Sequence, residues 1–367
     1  MFFCFDAFVF LHRVKNSKIM KDTKKVLIVY HSEDNDGVCS AAIAKAFLQC
    51  SEYWDNNSPV YNIETLGVTY SELKQMWEDF RDHVYIRDNP VANIETWKKQ
   101  DMLFMVDISF SEPDYMNFLY EYFKDNFFWC DHHKPIIDVS KSEPFGNARG
   151  VRKIEQSALL NTWEFMCNLL EVNYEPSNWL KMLSDYDSWA WASMDKYKEE
   201  AAREELFCFN TGVSFNSNLN IDWFVEWIIE NIYGFAYNGV RATECMTAGV
   251  TIRTHDKRRL GKAIQENGDC GWTANGEKTC TVITTEYINS LMFSEFVQEK
   301  DVKHGAVLKK NATTDNWTLS LYNLSNDDTF HCGEYLKEKY GGGGHLGAAG
   351  CVLDNETALN MIKTRKI

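Results

Sequence analysis

Two segments, VDISF at residues 106–110 and CDHHKP at residues 130–135, give the strongest indication of the fold. In both segments a carboxylate, Asp107 or Asp131, comes directly after an apolar run, and two adjacent histidines follow in the second segment. Short continuous apolar runs are typical of strands that are buried on both faces of a parallel sheet. Ligands of open α/β sheets bind at the carboxyl ends of such strands. We therefore expect a functional site where these two strands end.

The segments around this stretch alternate between strand-like and helix-like patterns. Strand-like runs occur at residues 24–30 (KKVLIVY), 59–68 (PVYNIETLGV) and 83–86 (HVYI). Between them, residues 37–50 and 71–83 carry apolar side chains at helical spacing. Strands that alternate with helices predict an α/β fold with a mainly parallel sheet that is covered on both faces.

Composition along the chain predicts four regions. They are an N-terminal extension (residues 1–22), an α/β catalytic domain (23–195), a helical connector (196–265) and a smaller mixed α/β C-terminal domain (266–367). The apolar extension lacks the basic start and the small-residue cleavage site of a signal peptide, so we expect the chain proper to begin at Met20. In the connector, the Asn- and Ser-rich stretch FNTGVSFNSNLN separates two helical segments and predicts a loop.

The C-terminal region ends in a glycine-rich motif. Strand-like TCTVITT and WTLSLYNL flank a helical segment at residues 288–300, and the helix CGEYLKEKY (332–340) then runs into GGGGHLGAAG (341–350). Glycine ends a helix readily, and consecutive glycines let backbone amides approach an anion without obstruction. His345 in this motif can donate to a phosphate oxygen. The motif therefore predicts a phosphate-binding loop, although a plain flexible turn has the same composition.

Charge and cysteine content exclude several classes of protein. The formal net charge is −15, from 38 basic and 53 acidic residues. This balance argues against binding of long duplex nucleic acid, which needs a basic surface, but it allows a short nucleotide held by metal ions. The 11 cysteines include no C-x-x-C pair, as is typical of reduced thiols in a cytoplasmic protein. No apolar run reaches the length of a membrane span, so we expect no membrane partner.

Carboxylates and imidazoles recur in two further segments. HSEDNDG supplies His31, Asp34 and Asp36 between a strand and a helix, and SDYDSW supplies Asp185 and Asp187 beside aromatic residues. Taken singly, each segment fits an ordinary polar turn or helix cap. Taken with the two segments above, they provide enough oxygen and nitrogen ligands for two divalent cations that share one carboxylate. Paired cations of this kind are used in phosphoryl transfer.

DNDGVCSAA, VDIS, DHH and DYDSW, in this order, resemble the four motifs of the DHH phosphoesterase superfamily. SLYN with YGGGGHLGAAG resembles the signature of the DHH-associated C-terminal domain, and the likeness extends over most of the chain from about Lys24. Members with this architecture include oligoribonucleases, phosphoadenosine phosphate phosphatases, cyclic dinucleotide phosphodiesterases and RecJ-type exonucleases. The resemblance implies a DHH catalytic domain at residues 23–195, two manganese ions (with magnesium as the alternative ion) and an active site in the cleft between the two domains.

The resemblance also implies roles for individual residues. It implies metal ligation by His31, Asp34, Asp36, Asp107, His132 and Asp185, with Asp107 bridging both ions. It implies catalytic roles for Asp131, His132 and His133, and contacts to the substrate phosphate from His133, Gly343, Gly344 and His345. Two departures from the family pattern stand out. His31 precedes Asp34 by one residue fewer than in common family forms, and Asp187 offers a second carboxylate as an alternative to Asp185.

The sequence therefore predicts a manganese-dependent phosphoesterase that hydrolyses short oligonucleotides or small nucleotides. The alternatives are a RecJ-like single-strand exonuclease and a nucleotide-binding regulator without turnover. A type II inorganic pyrophosphatase ranks lower, because it shares the first four motifs but not the glycine-rich ending. The expected partner is the nucleotide substrate itself. The sequence does not decide between a monomer and a homodimer.

Overall fold

A computed structural model describes residues 22–54, 58–81, 97–192, 194–233, 238–286, 301–311, 314–325, 330–344 and 346–367, together with Ile288, Phe293 and Val297. The chain divides into two compact units, Met1–Val250 and Thr251–Ile367. Three predicted elements lie wholly or mostly outside the described residues: the N-terminal extension, the strand HVYI and the helix at residues 288–300.

A four-stranded sheet forms the centre of the first unit. Its strands are β1 (Thr23–His31), β2 (Val60–Val68), β3 (Met102–Val106) and β4 (Phe127–Cys130). All neighbouring pairs are parallel, and the order across the sheet is β2-β1-β3-β4. The prediction of an α/β fold with a parallel sheet is therefore confirmed.

Helices alternate with these strands and continue after them. The α-helices that the structure describes in the first unit are α1 (Asn35–Trp54), α2 (Tyr70–Arg81), α3 (Pro113–Phe123), α4 (Lys134–Ser140), α5 (Ala158–Leu169), α6 (Asn178–Asp187), α7 (Glu200–Ser217), α8 (Ile221–Ile232) and the first part of α9 (Asn238–Asn267). The long α9 contains the boundary between the two units.

Both faces of the sheet are buried, because successive side chains of a strand point to opposite sides. Val26 and Phe104 face a core that includes residues of α1 and α5. Leu27 and Met105 face a second core, which includes residues of α2 and α3. This double burial explains why the strands appear in the sequence as continuous apolar runs rather than as alternating patterns.

Residues 196–250 belong to the first unit and do not form the separate connector that the sequence predicts. Phe209 on α7 and Trp227 on α8 lie in the same core as α1. Trp227 also stacks on Trp179 of α6, with ring centroids 3.9 Å apart and planes within 7° of parallel. Because these helices bury large apolar side chains against the rest of the unit, the boundary falls after Val250 rather than near residue 195.

The predicted loop FNTGVSFNSNLN is wrong over most of its length, because α7 continues through it to Ser217. Asn and Ser favour loops only weakly, and tertiary packing overrides that preference. Phe209 and Val213 are buried along this part of the helix. The helix ends at Asn218, whose left-handed backbone conformation (φ 47°) is tolerated better by Asn than by most residues.

Helices α7 and α9 approach each other at two glycines. A Cβ atom on Gly212 would lie 1.7 Å from the carbonyl oxygen of Cys245, and one on Gly249 would lie 1.7 Å from the carbonyl oxygen of Cys208. Real carbon–oxygen contacts of this kind are nearly twice as long. The absence of side chains at both positions is therefore what allows the two backbones to come so close.

The second unit contains a mixed six-stranded sheet. Its strands are β5 (Asp269–Ala274), β6 (Glu277–Thr284), β7 (His304–Lys310), β8 (Trp317–Asn323), β9 (Gly343–Gly344) and β10 (Ala348–Leu353). They follow the order β5-β6-β7-β8-β10-β9, in which β6 and β7 are parallel and the other pairs antiparallel. Two helices, α10 (Cys332–Tyr340) and α11 (Asn355–Thr364), contribute Leu336 and Met361 to the core beneath this sheet. Across the described part of the chain, none of the helices combines the length and apolar character that crossing a membrane requires.

Candidate metal centre

Parallel pairing brings the carboxyl ends of β1, β3 and β4 to one edge of the first sheet. β1 ends at His31, Asp107 follows β3, and Asp131 follows β4. Because the strands are parallel and in register, their final residues lie side by side, as with Tyr30 opposite Val106. The site expected from the sequence at this edge is therefore assembled by the sheet itself.

The loop after β1 turns tightly into α1 and presents two polar side chains. Nδ1 of His31 lies 2.9 Å from Oδ2 of Asp34. The other carboxylate oxygen of Asp34 accepts a hydrogen bond from the backbone N–H of Gly37 at 3.0 Å, which anchors the start of the helix. A Cβ atom on Gly37 would lie 2.1 Å from the carbonyl oxygen of His31, so glycine is required for this turn.

Asp107 lies between two groups of polar side chains and offers one oxygen to each. Its Oδ2 lies 3.8 Å from Nδ1 of His31, and its Oδ1 lies 3.4 Å from Nε2 of His132. The backbone of Asp107 is held in the left-handed region (φ 56°), which is uncommon for a residue with a side chain and concentrates at functional sites. Asp107 therefore has the placement of a carboxylate that bridges two cations.

The second group consists of Asp36, His132 and Asp187. Nε2 of His132 lies 3.6 Å from Oδ2 of Asp36 and 3.3 Å from Oδ2 of Asp187. Asp36 is also fixed from behind, because its two oxygens accept the backbone N–H groups of Ala158 and Leu159 at 2.9 and 2.8 Å. These amides begin α5, and the start of a helix favours a negative charge. The side chain is thus held rigidly toward His132.

Three triads of potential ligand atoms lie within 4.8 Å of one another in this region. The triads are His31–Asp34–Asp107, Asp36–His132–Asp187 and Asp107–His132–His133. We use the name metal centre for the six residues that make up the first two triads. The third triad shares Asp107 and His132 with them, so the first two are adjacent rather than separate sites.

Several atoms of the metal centre are buried without a hydrogen-bond partner among the described residues. They are Oδ1 of Asp107, Oδ2 of Asp187 and Nε2 of His31. Burial and the nearby charge of Asp36 raise the pKa of both Asp107 and Asp187 well above the ordinary value. Buried carboxylates that repel one another and lack donors are costly, and a cation relieves that cost. The donor set, carboxylate oxygen and imidazole nitrogen, fits a divalent cation of the manganese type.

The pKa values of the two histidines of the centre, His31 and His132, are raised as well. Burial, the largest single effect, lowers the pKa of His31, but the hydrogen bond to Asp34 and the negative charges of Asp34 and Glu33 together outweigh it, so the pKa is raised. For His132, burial is likewise outweighed by the combined negative charges of the nearby carboxylates, Asp36 first, and its pKa is raised. Both shifts have the same origin as those of the carboxylates, namely an excess of negative charge in an enclosed space.

The two carboxylates of DYDSW are placed differently from the expectation. Asp187, the last residue of α6, joins the metal centre. Asp185, the residue that the family pattern favours, instead accepts hydrogen bonds from the hydroxyl of Tyr197 at 2.7 Å and from the ammonium group of Lys196. The alternative residue, Asp187, is therefore the one that the structure brings to the other ligands, and Asp185 is engaged elsewhere.

Asp131 lies behind the metal centre and is fully buried. Its Oδ1 lies 2.7 Å from Nδ1 of His133 and accepts the backbone N–H groups of His132 and His133, while its Oδ2 accepts the indole N–H of Trp129 at 3.1 Å. Burial alone would raise the pKa of Asp131, but the charge and hydrogen bonds of His133 outweigh it and lower the pKa to about 2. The ionised carboxylate of Asp131 therefore orients the imidazole of His133.

One residue at the site, Tyr70, is not identified from the sequence. The hydroxyl of Tyr70 lies 3.3 Å from both ring nitrogens of His133, and its ring centroid lies 5.2 Å from that of His31. The signal for it is the capping box TYSE. Thr69 and Glu72 exchange side-chain-to-backbone hydrogen bonds at the start of α2, and this fixes Tyr70 as the first residue of that helix. Since β2 ends at Val68, Tyr70 reaches the same edge of the sheet.

The glycine-rich motif lies in the second unit. Gly341, with φ 67°, ends α10 as predicted. Gly343 and Gly344 form β9 and pair with Gly350 and Ala349 of β10, so they belong to a sheet edge rather than to a free loop. His345 lies outside the described residues. The predicted phosphate contacts of Gly343, Gly344 and His345 stay predictions.

Comparisons with known proteins add little at the level of function. No family model matches the sequence, and no curated protein matches it. An uncharacterised protein from Helicobacter pylori G27 superposes with a TM-score of 0.38 at 15% identity, over 94% of this chain and 99% of that one. The pGpG-specific phosphodiesterase PggH from Vibrio cholerae superposes with a TM-score of 0.47 at 14% identity, over 93% of this chain and 97% of that one. CDC45 from Entamoeba histolytica superposes with a TM-score of 0.43 at 8% identity, over 93% of this chain and 94% of that one. Likenesses this low carry no conclusion about activity or substrate, which have to be inferred from the site itself.

Proposed function

We propose that this protein is a metal-dependent phosphoesterase that hydrolyses phosphoester bonds of short oligonucleotides or small nucleotides. The observation that carries the proposal is the position of Asp107. Its two oxygens face different triads, at 3.8 Å from His31 and 3.4 Å from His132. A carboxylate in that position can serve two cations at once, which is the arrangement used for in-line displacement at phosphorus.

The residues fit two divalent cations. His31, Asp34 and Asp107 would hold one, and Asp36, His132 and Asp187 would hold the other, with Asp107 shared. Two such cations supply an activated water nucleophile and neutralise charge on the phosphoryl oxygens. The mixture of imidazole and carboxylate favours Mn²⁺, and Mg²⁺ is the alternative because carboxylate oxygens suit both ions.

The chain's own residues also hold and orient a proton near the reacting group. The ionised Asp131 lies 2.7 Å from Nδ1 of His133 and orients its imidazole ring. The side chain of His133 is 29% exposed, against 2% for that of Asp107. His133 can therefore contact a substrate oxygen, while Asp107 stays beneath it.

The substrate class follows from charge and from the resemblance of the C-terminal motif. A chain with a formal charge of −15 lacks the basic surface that long nucleic acid needs, so a short substrate gripped by metal ions and a few local donors is favoured. The resemblance assigns such donors to the glycine-rich motif and His345. A RecJ-like exonuclease and a regulator without turnover remain the alternatives that the experiment has to separate.

The test is a hydrolysis panel on protein stripped of metal and then reloaded. Phosphate or nucleotide release is measured from dinucleotides, phosphoadenosine phosphate, a cyclic dinucleotide and long single-stranded DNA, each with Mn²⁺, with Mg²⁺ and with EDTA. We expect turnover of a short substrate with Mn²⁺ and its loss with EDTA. Preference for long single-stranded DNA would favour the exonuclease. Nucleotide binding without turnover would favour the regulator, and full activity in chelated protein would refute the metal-dependent mechanism.

A further inference from the structure

Tyr70 lies beside the metal centre, with its ring near His31 and its hydroxyl near His133. The ring packs near the imidazoles of His31 and His133, with centroids 5.2 and 5.8 Å away. The residue as a whole is 42% exposed, while burial and the negative charge of Asp131 raise the pKa of its hydroxyl. Neither metal triad includes Tyr70. Its position thus combines proximity to the reacting region with access from outside.

The hydroxyl of Tyr70 completes a chain of three polar groups. Asp131 holds Nδ1 of His133 at 2.7 Å, so Nε2 is the nitrogen that can accept a proton donor. The Tyr70 oxygen lies 3.3 Å from that Nε2, and equally far from Nδ1. This distance is longer than the usual 2.7–3.0 Å or so of a good hydrogen bond, and a hydroxyl cannot align with both nitrogens at once. The contact is weak, and the hydroxyl is free to exchange it for a better acceptor at small cost.

The backbone beneath Tyr70 is fixed even though its hydroxyl is weakly bonded. The backbone N–H of Thr69 donates to the carboxylate of Glu72 at 2.7 Å, and the backbone N–H of Glu72 donates to the hydroxyl of Thr69 at 3.1 Å. Leu73, one turn into the helix, is buried in the core of the sheet. A preorganised donor of this kind interacts with a bound anion without first having to be ordered.

We propose that the hydroxyl of Tyr70 donates a hydrogen bond to a non-bridging oxygen of the bound phosphoester, next to His133. The inference rests on the proposed function, since it assigns Tyr70 to the phosphate pocket of the same site. On binding, the hydroxyl exchanges the long contact with His133 for a charge-assisted bond to the phosphate. Tyr70 is then a specificity-determining residue for phosphoryl substrates, and its ring also limits access to the metal centre.

The variant that tests this is Tyr70→Phe, which removes only the hydroxyl. Tyr122→Phe is the matched control, because Tyr122 is similarly exposed (47%) and its hydroxyl donates to the backbone carbonyl of Lys98 rather than to the metal centre. Manganese stoichiometry, thermal stability and kcat/KM are measured in both variants with Mn²⁺, on the dinucleotide pApA and on bis-p-nitrophenyl phosphate. We expect Tyr70→Phe to lose roughly 10- to 100-fold in kcat/KM on both substrates, the usual effect of one hydrogen bond to a charged group. The control should match the wild type.

A double-variant cycle with His133→Ala separates a role at the phosphate from a role in packing. If both side chains contact one phosphate, the loss in the double variant is smaller than the product of the single losses. Retained metal content and stability together with a reduced kcat/KM support the proposal.

Three outcomes would overturn it. A wild-type kcat/KM in Tyr70→Phe together with a reduced kcat/KM in Tyr70→Leu would assign the contribution of Tyr70 to its ring and not to its hydroxyl. Loss of metal in Tyr70→Phe would make the residue part of the metal centre. A wild type that hydrolyses neither substrate with Mn²⁺ would overturn the proposed function and this inference with it, whereas an active wild type with an unaffected Tyr70→Phe refutes the role of Tyr70 alone.

Discussion

Replacing Asp107 with asparagine should make the metal-free protein more stable and at the same time abolish its stabilisation by manganese. Asp107 is 1% exposed, one of its oxygens lacks a hydrogen-bond partner, and the nearest carboxylates are those of Asp36, Asp34 and Asp131. Asparagine keeps the shape of the side chain but removes the charge. Without a cation, the substitution therefore relieves electrostatic repulsion, and with a cation it removes the proposed bridging ligand.

The gain in the metal-free protein depends on pH in a defined direction. In the unfolded chain the carboxyl of Asp107 ionises near its ordinary pKa of about 4. In the folded, metal-free protein burial and Asp36 raise that pKa well above this value. Between the two values the folded state binds the proton and the unfolded state does not, so the free energy of unfolding falls as pH rises, by up to about 1.4 kcal/mol per pH unit. Asp107→Asn should abolish this part of the slope, so the metal-free variant should be more stable than the metal-free wild type at pH 7.

The loss with manganese is larger. At a concentration 100-fold above the dissociation constant, each bound ion stabilises the folded state by about 2.7 kcal/mol, so two ions contribute about 5 kcal/mol. For a unit of this size that corresponds to a rise in Tm of roughly 10–20 °C. In the proposed arrangement Asp107 serves both ions, so we expect Asp107→Asn to retain a rise of less than about 4 °C, equivalent to about 1 kcal/mol.

The assay is thermal unfolding of metal-free and Mn²⁺-loaded protein from pH 5 to 8. The control is Asp138→Asn, which should leave the Mn²⁺ shift unchanged. The carboxylate of Asp138 forms exposed ion pairs with Lys134, at the start of α4, and with Lys141, directly after it. Two results would refute the reasoning. One is a metal-free Asp107→Asn protein that is less stable than the wild type at pH 7, and the other is an Asp107→Asn protein that keeps the full Mn²⁺ shift.

Two further pairs of variants test the structure. Asp187→Ala should weaken Mn²⁺ binding, measured by calorimetry, by more than the roughly 10- to 100-fold usual for groups outside the coordination sphere, whereas Asp185→Ala should keep the metal stoichiometry. Equal losses in the two variants would contradict the assignment of Asp187. Gly249→Ala should destabilise the protein by about 3 kcal/mol in urea unfolding, because its Cβ would lie 1.7 Å from the carbonyl oxygen of Cys208 and α7 and α9 would have to separate. Gly239→Ala in the same helix meets nothing within 4 Å and should be neutral or stabilising by up to about 1 kcal/mol, so similar effects of the two substitutions would show that the glycine contact is unimportant.

The sequence alone is enough to predict the parallel sheet and the edge at which the site lies. The patterns that carry this information are local. Continuous apolar runs predict doubly buried strands, and polar residues directly after them must lie at the carboxyl edge once the strands are parallel. His31, Asp34, Asp36, Asp107 and His132 could therefore be named from the sequence, and the structure brings all five together.

The local sequence does not show which carboxylate of DYDSW faces the other candidate ligands. Asp185 and Asp187 both belong to α6 and are two residues apart, so their side chains point in directions that differ by about 200°. The orientation of α6 against the sheet selects Asp187, and no local pattern contains that orientation. The same holds for Tyr70, which reaches His133 only because β2 lies beside β1 in the sheet. It also holds for the last half of α7, where the burial of Phe209 and Val213 outweighs a composition that locally favours a loop.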